Sequence, residues 1–475
     1  MLRATKIADE SGVPGVAVIA SGFMSQAKAT ARAMGAPDMG IVPYPGNIPL
    51  DSSDELADKV WNKVLPGVVD VLTSDAGATA PTQSASPSAS PPTGEPDTRD
   101  TVFSGTLNAV QDYFEAREWS DGLPFVPPTL DAVAEFLTWT NRDPAEVIGI
   151  LPPEFREATV WSVAVNGVMA GCRPEYMPVL LAMVEAIADP AFKLEDAGCT
   201  PGWEPLAVVS GEIVEALGFN TGTGNMRIGR RANAAIGRFL RLYIRNVAGF
   251  RQGSTDKGSI GANFYMAMGE NEAAVRALGW DPVRVDLGFG MDDNVVMVQS
   301  VVALSSPVYM GGTDPVTMMG PLVEYLQGTA GPFNYTAMMF SRYHPLVQMS
   351  PAIAEGFKKH GWGKKEVRQY LFEHAKYKAR WLEHYPLHAM GQEWKLADIV
   401  KRGAAPALYA ESDDPERMVP MLLKPEWTNI VLAGDPERNQ ARIYINNHEH
   451  APPTAKRVEM PERWRERIQR SGIFA

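Results

Sequence analysis

Cysteine is nearly missing from this chain. Cys172 and Cys199 are the only two in 475 residues, too few for a disulfide framework at this length. Seven histidines leave little material for a metal centre. Pro386, between His384 and His388, is expected to break the helix that would aim both at one ion. His448 and His450 would point the same way on a strand but offer only two ligands, so no metal site is assigned. No apolar run approaches the roughly 18 residues of a membrane span, and the opening MLRATKIADESG carries charges where a secretory signal needs an apolar stretch. A soluble, cytoplasmic protein without a membrane partner is the expectation. Positive charge is also in deficit, with 44 Lys and Arg against 56 Asp and Glu for a net charge of −12, which argues against nucleic acid as a partner.

Against that deficit, residues 221–251 hold seven arginines and neither a lysine nor a carboxylate. Gly222, Gly224 and Gly229 form a flexible turn, and a helix is expected over about 232–247. Arg231, Arg238, Arg241 and Arg245 fall on one helical face, with Ile236, Phe239, Tyr243 and Val247 on a roughly opposite, core-facing one. Glycines let main-chain N–H groups approach an oxyanion, and a helix N-terminus adds partial positive charge. Arginine rather than lysine suits planar, bidentate pairing with carboxylate or phosphate. Gly222, Gly224, Arg227, Arg230, Arg231, Asn233 and Arg238 are therefore the candidate ligand-binding residues for a small anionic molecule. An arginine face docking on acidic residues of a partner or of the same chain explains the composition equally well. Neither a GxGxxG after a strand nor a GK[ST] is present, so no nucleotide cofactor is indicated, and the cofactor stays unknown.

The chain reads as α/β: a small partial N-terminal α/β unit, a disordered linker and a large α/β or α+β body. Residues 1–74 show one β-α-β-α run, with strands at 13–20 and 39–43 and helices at 21–34 and 54–72. Two strands make a poor parallel sheet by themselves. Residues 75–100 are Ala, Ser, Thr and Pro with almost no large apolar group, the composition of a tether. The body, 101–475, has a candidate sub-boundary near 330–350. Helices are expected at 107–118, 131–139, 158–170, 176–188 and 352–384, and strands at 206–211, 295–304, 429–433 and 442–445.

Three residues qualify as catalytic candidates. Cys172 lies in a Gly/Pro-flanked turn beside Arg173, and Cys199 in another; a thiol near a cation can have a lowered pKa, although free cysteines are also simply buried small residues. Glu270, with Glu272 close by, could serve as an acid or base.

The stretch GVPGVAVIASGFMSQAKATARAMGAPDMGIVPYPGNIPL and the helix after it resemble the second half of the bacterial (seleno)protein family named for its UGSC motif. Elsewhere, DGLPFVPPT, VNGVMAGCRPEYMPVL and RRANAAIGRFLRL are similar to an uncharacterised family related to, or encoded beside, those proteins, which lends no catalytic residues. The first resemblance implies redox chemistry at a selenol or thiol upstream of the GVP strand, but no cysteine precedes Cys172. The functional expectation is an enzyme acting on a small anionic substrate, with a thiol- or selenol-dependent oxidoreductase as its redox form, a protein redox partner and a homo-oligomeric state. A non-catalytic subunit docking an acidic partner, or a redox-independent lyase or hydratase, are the alternatives. A misread selenocysteine codon is the expected source of the missing motif. Sequencing the DNA upstream of Met1 should then reveal an in-frame UGA followed by Gly-Ser-Cys codons; an upstream frame without them removes the idea.

Overall fold

A computed structural model describes residues 2–46, 48–74, 97–198, 200–261, 266–334, 343–391, 393–447 and 452–471. Residues 75–96 of the tether expected at 75–100, together with Cys199, His448 and His450, lie outside the described residues. The chain divides into two compact units, one comprising residues 1–124, 151–156 and 245–257, the other 125–150, 157–244 and 258–475. Among the described residues no helix is long and apolar enough to cross a membrane.

In the first unit, strand β1 (Ala17–Ala20) pairs in parallel with β2 (Ile41–Tyr44). Ala17 and Ile19 pack against Ala27 of the helix Met24–Ala33 on one side. Val42 and Tyr44 pack on the other side against Val64, on the helical run that starts at Ser53. That run opens with a capping box, in which the Ser52 hydroxyl accepts from the Glu55 N–H and Glu55 accepts from the Ser52 N–H. The expected α/β order is there, preceded by a helix, Leu2–Glu10, that the sequence did not signal. Only the last four residues of the apolar run at 13–20 form strand, because Gly12 at φ +78° and Pro14 turn the chain first.

The second unit is built on one mixed sheet of eight strands: β3 (Glu204–Ser210), β4 (Ala267–Gly269), β5 (Val295–Leu304), β6 (Val308–Tyr309), β7 (Leu346–Met349), β8 (Asn429–Leu432), β9 (Gln440–Asn446) and β10 (Thr454–Arg457). The main path runs β8-β7-β9-β5-β3-β4, with β8 parallel to β7, β3 parallel to β4 and the other joins antiparallel; β10 and β6 add to β5 and β9. One face of this sheet is a single apolar cluster. Leu206 and Val208, Met268, Met297 and Val301, Leu346, Val431 and Tyr444 come from six strands and touch one another. A sheet whose two edges contribute to one cluster must curl. The Asn271 N–H, just past edge strand β4, donates to the Leu432 carbonyl of the opposite edge β8 at 2.7 Å.

Helices cover the outside. Val347, Met349, Ile430, Leu432 and Ile443 pack under the helices Pro315–Ala330, Pro351–Lys359 and Lys364–His374. The helix Met177–Ala188 is buried over nearly its whole length, as expected for a helix apolar on all sides. The single helical stretch expected at 352–384 is instead three helices and a strand, Lys376–Lys378. Gly361 at φ +75° ends the first helix, and Lys376–Lys378 leaves the helical path to pair with Met418–Pro420. The expected break at Pro386 is also corrected: the helix Ala379–Met390 passes through it. Pro386 is interior to that helix; it lacks the N–H that would bond the Leu382 carbonyl, and the helix continues past it to Met390.

Gly211 closes β3 at φ +121°, and a Cβ there would meet the Asp293 carbonyl at 2.8 Å and Asn294 Cα at 2.9 Å. Both neighbours are main chain, so Gly211→Ala should cost about 2 kcal/mol or more. Urea unfolding of the variant measures this, and a loss below about 0.5 kcal/mol would show that the turn relaxes freely.

Candidate functional site

The glycine-rich segment and its helix fold much as their composition demands. The helix Arg231–Tyr243 continues into a π turn, Ile244–Ala248. Ile236, Phe239 and Tyr243 are fully buried and Val247 nearly so. No side chain caps the helix start at Arg230, leaving its first N–H groups free of side-chain acceptors. The loop before it is held by asparagines. Asn233, 1 % exposed, accepts from the Asn220 N–H at 2.8 Å and donates to the Ala267 carbonyl of β4 at 2.8 Å. Its amide is thus committed to the main chain and fixes the loop. Asn220 in turn accepts from the Gly222 N–H at 3.0 Å. Gly224 and Gly229 take φ of +76° and +142°, conformations a side chain would resist.

The arginines divide by position. Arg241 lies 3.3 Å from Glu204 and Arg245 3.8 Å from Glu118, and Arg251 pairs with Glu154. These charges are met by acids of the chain itself. Arg227, Arg230 and Arg231, at the loop and first helical position, are exposed. Arg231 donates through Nε to the Gly171 carbonyl at 2.8 Å, and no described carboxylate pairs with any of the three. Arg238 is half-buried. The one-sided stripe is therefore two regions: a neutralised C-terminal part and an unneutralised N-terminal end.

Cys172 is buried beside that end. Burial pushes its thiol pKa well up, against a lesser lowering by Arg231 and Arg238. A thiol held protonated and covered is a poor nucleophile at neutral pH.

Below the loop, Asn225 accepts from Gln348 Nε2 at 2.9 Å, and Gln348 Oε1 accepts from the Tyr444 hydroxyl at 2.7 Å. Met226, at φ +62°, packs onto the apolar cluster inside the curled sheet. A main-chain bond from the Gly434 N–H to the Thr221 carbonyl, 2.8 Å, ties the loop to the end of β8. The glycine-rich loop thus lies across one end of the sheet interior. Nothing in the sequence links Asn225 with Gln348 and Tyr444; only strand register brings them together.

The carboxylates form a second cluster. Glu270, fully buried just past β4, accepts from the Ser210 hydroxyl at 2.7 Å and from the Val283 N–H at 3.0 Å. Ser210 accepts from Arg284 Nη1 at 2.8 Å, and Glu272 pairs with Arg284 at 2.6 Å and accepts from the Gly211 N–H. Lys364 reaches Asp286 at 2.9 Å but Glu270 only at 3.9 Å. Arg368 pairs with Asp286 at 2.9 Å and donates to the Thr428 carbonyl at the foot of β8. Burial lifts the Glu270 pKa to about 7, with Lys364 and Ser210 pulling the other way. Cys172, the loop residues and Glu270 are all placed in the second unit, with the thiol near Arg231 and the carboxylate in its own cluster.

His384 bonds Glu393 at 2.7 Å, with the His388 ring 5.3 Å away. Among the described residues no group of three or more His, Cys, Asp or Glu is arranged to hold a metal ion.

Residues 5–74 match the model of the UGSC family. No curated protein and no solved structure matches the chain. The N-terminal segment is therefore similar to that family, and the match stops short of every candidate residue described above.

A carboxyl whose folded pKa lies above its unfolded one stabilises the fold fully below the unfolded value, and that contribution disappears as pH rises through the folded value. For Glu270 the window runs from the ordinary 4.5 to about 7. Glu270→Gln, neutral at every pH, should gain in melting temperature relative to wild type as pH goes from 5 to 8. A mutant-minus-wild-type difference that stays flat across that range would show the carboxyl ionised throughout.

Proposed function

We propose that the protein is an enzyme acting on a small anionic molecule, bound where the glycine-rich loop meets the start of the helix Arg231–Tyr243. The observation that carries this reading is the contrast along one helix: arginines towards its C-terminal end are paired with acids, whereas Arg227, Arg230 and Arg231 gather at its positive end with no described carboxylate. Like charges so placed repel, and an anionic guest relieves that repulsion. Glycines at 222 and 224 leave the main chain open to close approach.

The redox form of this reading, a thiol- or selenol-dependent oxidoreductase, draws on the UGSC-like segment. Residues 5–74 contain no cysteine and Cys172 is covered, so the reacting thiol or selenol is assigned to Cys199 or to a protein redox partner. A cytoplasmic location and a homo-oligomeric state belong to the same proposal. A second reading, docking of an acidic protein partner without catalysis, is favoured by Ile228. It stands between Arg227 and Arg230 with 89 % of its surface exposed, an apolar contact of the kind a protein partner would cover. A lyase or hydratase using Glu270 or Glu272 would need that cluster to open, because Glu270 is fully buried and Glu272 is paired with Arg284.

Melting curves in phosphate or succinate, against chloride at equal ionic strength, separate a ligand site from a docking face. A bound anion at a hundred times its Kd contributes about 2.7 kcal/mol, several degrees in Tm. The stabilisation should be lost in Arg230→Ala and Arg231→Ala. No anion-specific shift in the wild-type protein would reject the small-molecule site and leave the docking reading.

A further inference from the structure

Arg442 is a charged side chain on a strand whose nearby residue Tyr444 belongs to the apolar cluster. Arg442 stands on β9 two residues before Tyr444, so both point to the same face. Its cross-strand partner on β7 is Gln348, the residue bonded to Asn225 of the glycine-rich loop. The Arg442 side chain bonds the Tyr444 hydroxyl. It is half-buried, and among the described residues it has no carboxylate partner. Arg284, Arg368 and Arg417 of the same unit are each paired with an acid. A half-buried guanidinium whose described side-chain partner is a neutral phenol keeps its charge uncompensated, and an anion that reached it would form a charge-assisted pair.

We infer that Arg442, oriented by Tyr444 and Gln348, is the inner recognition group of the site beneath the loop, and that it takes a carboxylate group of a small organic acid. This inference rests on the proposed function and narrows it. Arg227 and Arg230 face solvent and can attract any anion; Arg442 lies in a cross-strand row with Gln348 and Val431, on the sheet face whose apolar cluster includes Val431, Leu346 and Met226. A planar guanidinium fork beside apolar side chains suits a carboxylate carried on a hydrocarbon body better than a fully hydrated phosphate ion. Asn225 and Gln348, each already holding a partner, fix the geometry rather than bind.

Binding is measured by isothermal titration of the full chain with succinate, with inorganic phosphate and chloride in parallel. Arg442→Gln should weaken succinate by about tenfold or more, and Arg442→Lys, which keeps the charge but loses the fork, should also weaken it. Tyr444→Phe preserves volume and apolar packing, so it tests the site even if Arg442→Gln fails to fold. It should weaken succinate several-fold and lower the ligand-free Tm by a few degrees, the cost of one buried hydrogen bond, without unfolding the chain. Succinate binding lost in Arg231→Ala but unchanged in Arg442→Gln and Tyr444→Phe overturns this inference and leaves the proposed function standing. Phosphate binding without succinate binding does the same. No binding of either anion to the wild-type chain overturns both.

Discussion

The second unit depends on its sheet curling far enough for the two edges to share a core. Apolar side chains from β3, β4, β5, β7, β8 and β9 fill one interior, and burying such a set is the largest favourable term available to it. The closure lies between β4 and β8. There the Asn271 N–H meets the Leu432 carbonyl, and Glu270, Lys364, Asp286 and Arg368 run from the end of β4 to Thr428 at the start of β8. Paired charges at that depth add little net stability over apolar residues of equal size. They do fix which backbone segments meet, and this is the role best suited to their arrangement. Glu270 is the exception within the group, since its nearest cation is already held closer by Asp286. Desolvation therefore dominates, and the carboxyl holds its proton into the neutral range.

The same curl explains why the arginine helix is positioned as it is. Its apolar side is buried, which forces the arginines outward or along the flanks. Acids wait for those in the C-terminal half: Glu204 for Arg241 and Glu118 for Arg245. At the N-terminal end Arg231 donates to a main-chain carbonyl, that of Gly171, and no described carboxylate pairs with Arg227, Arg230 or Arg231. An acidic chain with carboxylates to spare leaves this one end unneutralised, and the helix field adds to the charge there instead of offsetting it.

Much of this could be read from the residues in order. The apolar side of the helix at 232–247, the strands at 206–211 and 295–304, and the β-α-β-α order of the first 74 residues all followed from local periodicity. Local pattern failed where tertiary contacts chose the outcome. Residues 376–378 leave a helical run because Met418–Pro420 offers them a ladder. Asn233 looked like a ligand residue from its place in the arginine segment, yet its partners are Asn220 and a β4 carbonyl 34 residues away in sequence. Arg442 gave no signal at all, because a lone arginine in a short strand is unremarkable until the register sets it beside Gln348.

Conformation also distinguishes the loop from an ordinary connection. Met226 holds a left-handed φ of +62° although it is neither glycine nor asparagine, a state that costs of order 1 kcal/mol. Its side chain packs into the sheet interior, while Asn225 beside it bonds Gln348 and the Thr221 carbonyl accepts from Gly434. A loop needing only to link the short helix Ile213–Ala216 to the helix Arg231–Tyr243 would relax that strain by using glycine at 226, as it does at 224 and 229. Keeping a methionine there anchors the loop by its apolar tip, and it fixes where Arg227 leaves the surface. The strained residue, the uncapped helix start and the unpaired arginines thus fall within six positions of one another, Met226 to Arg231, all held against the same end of the sheet.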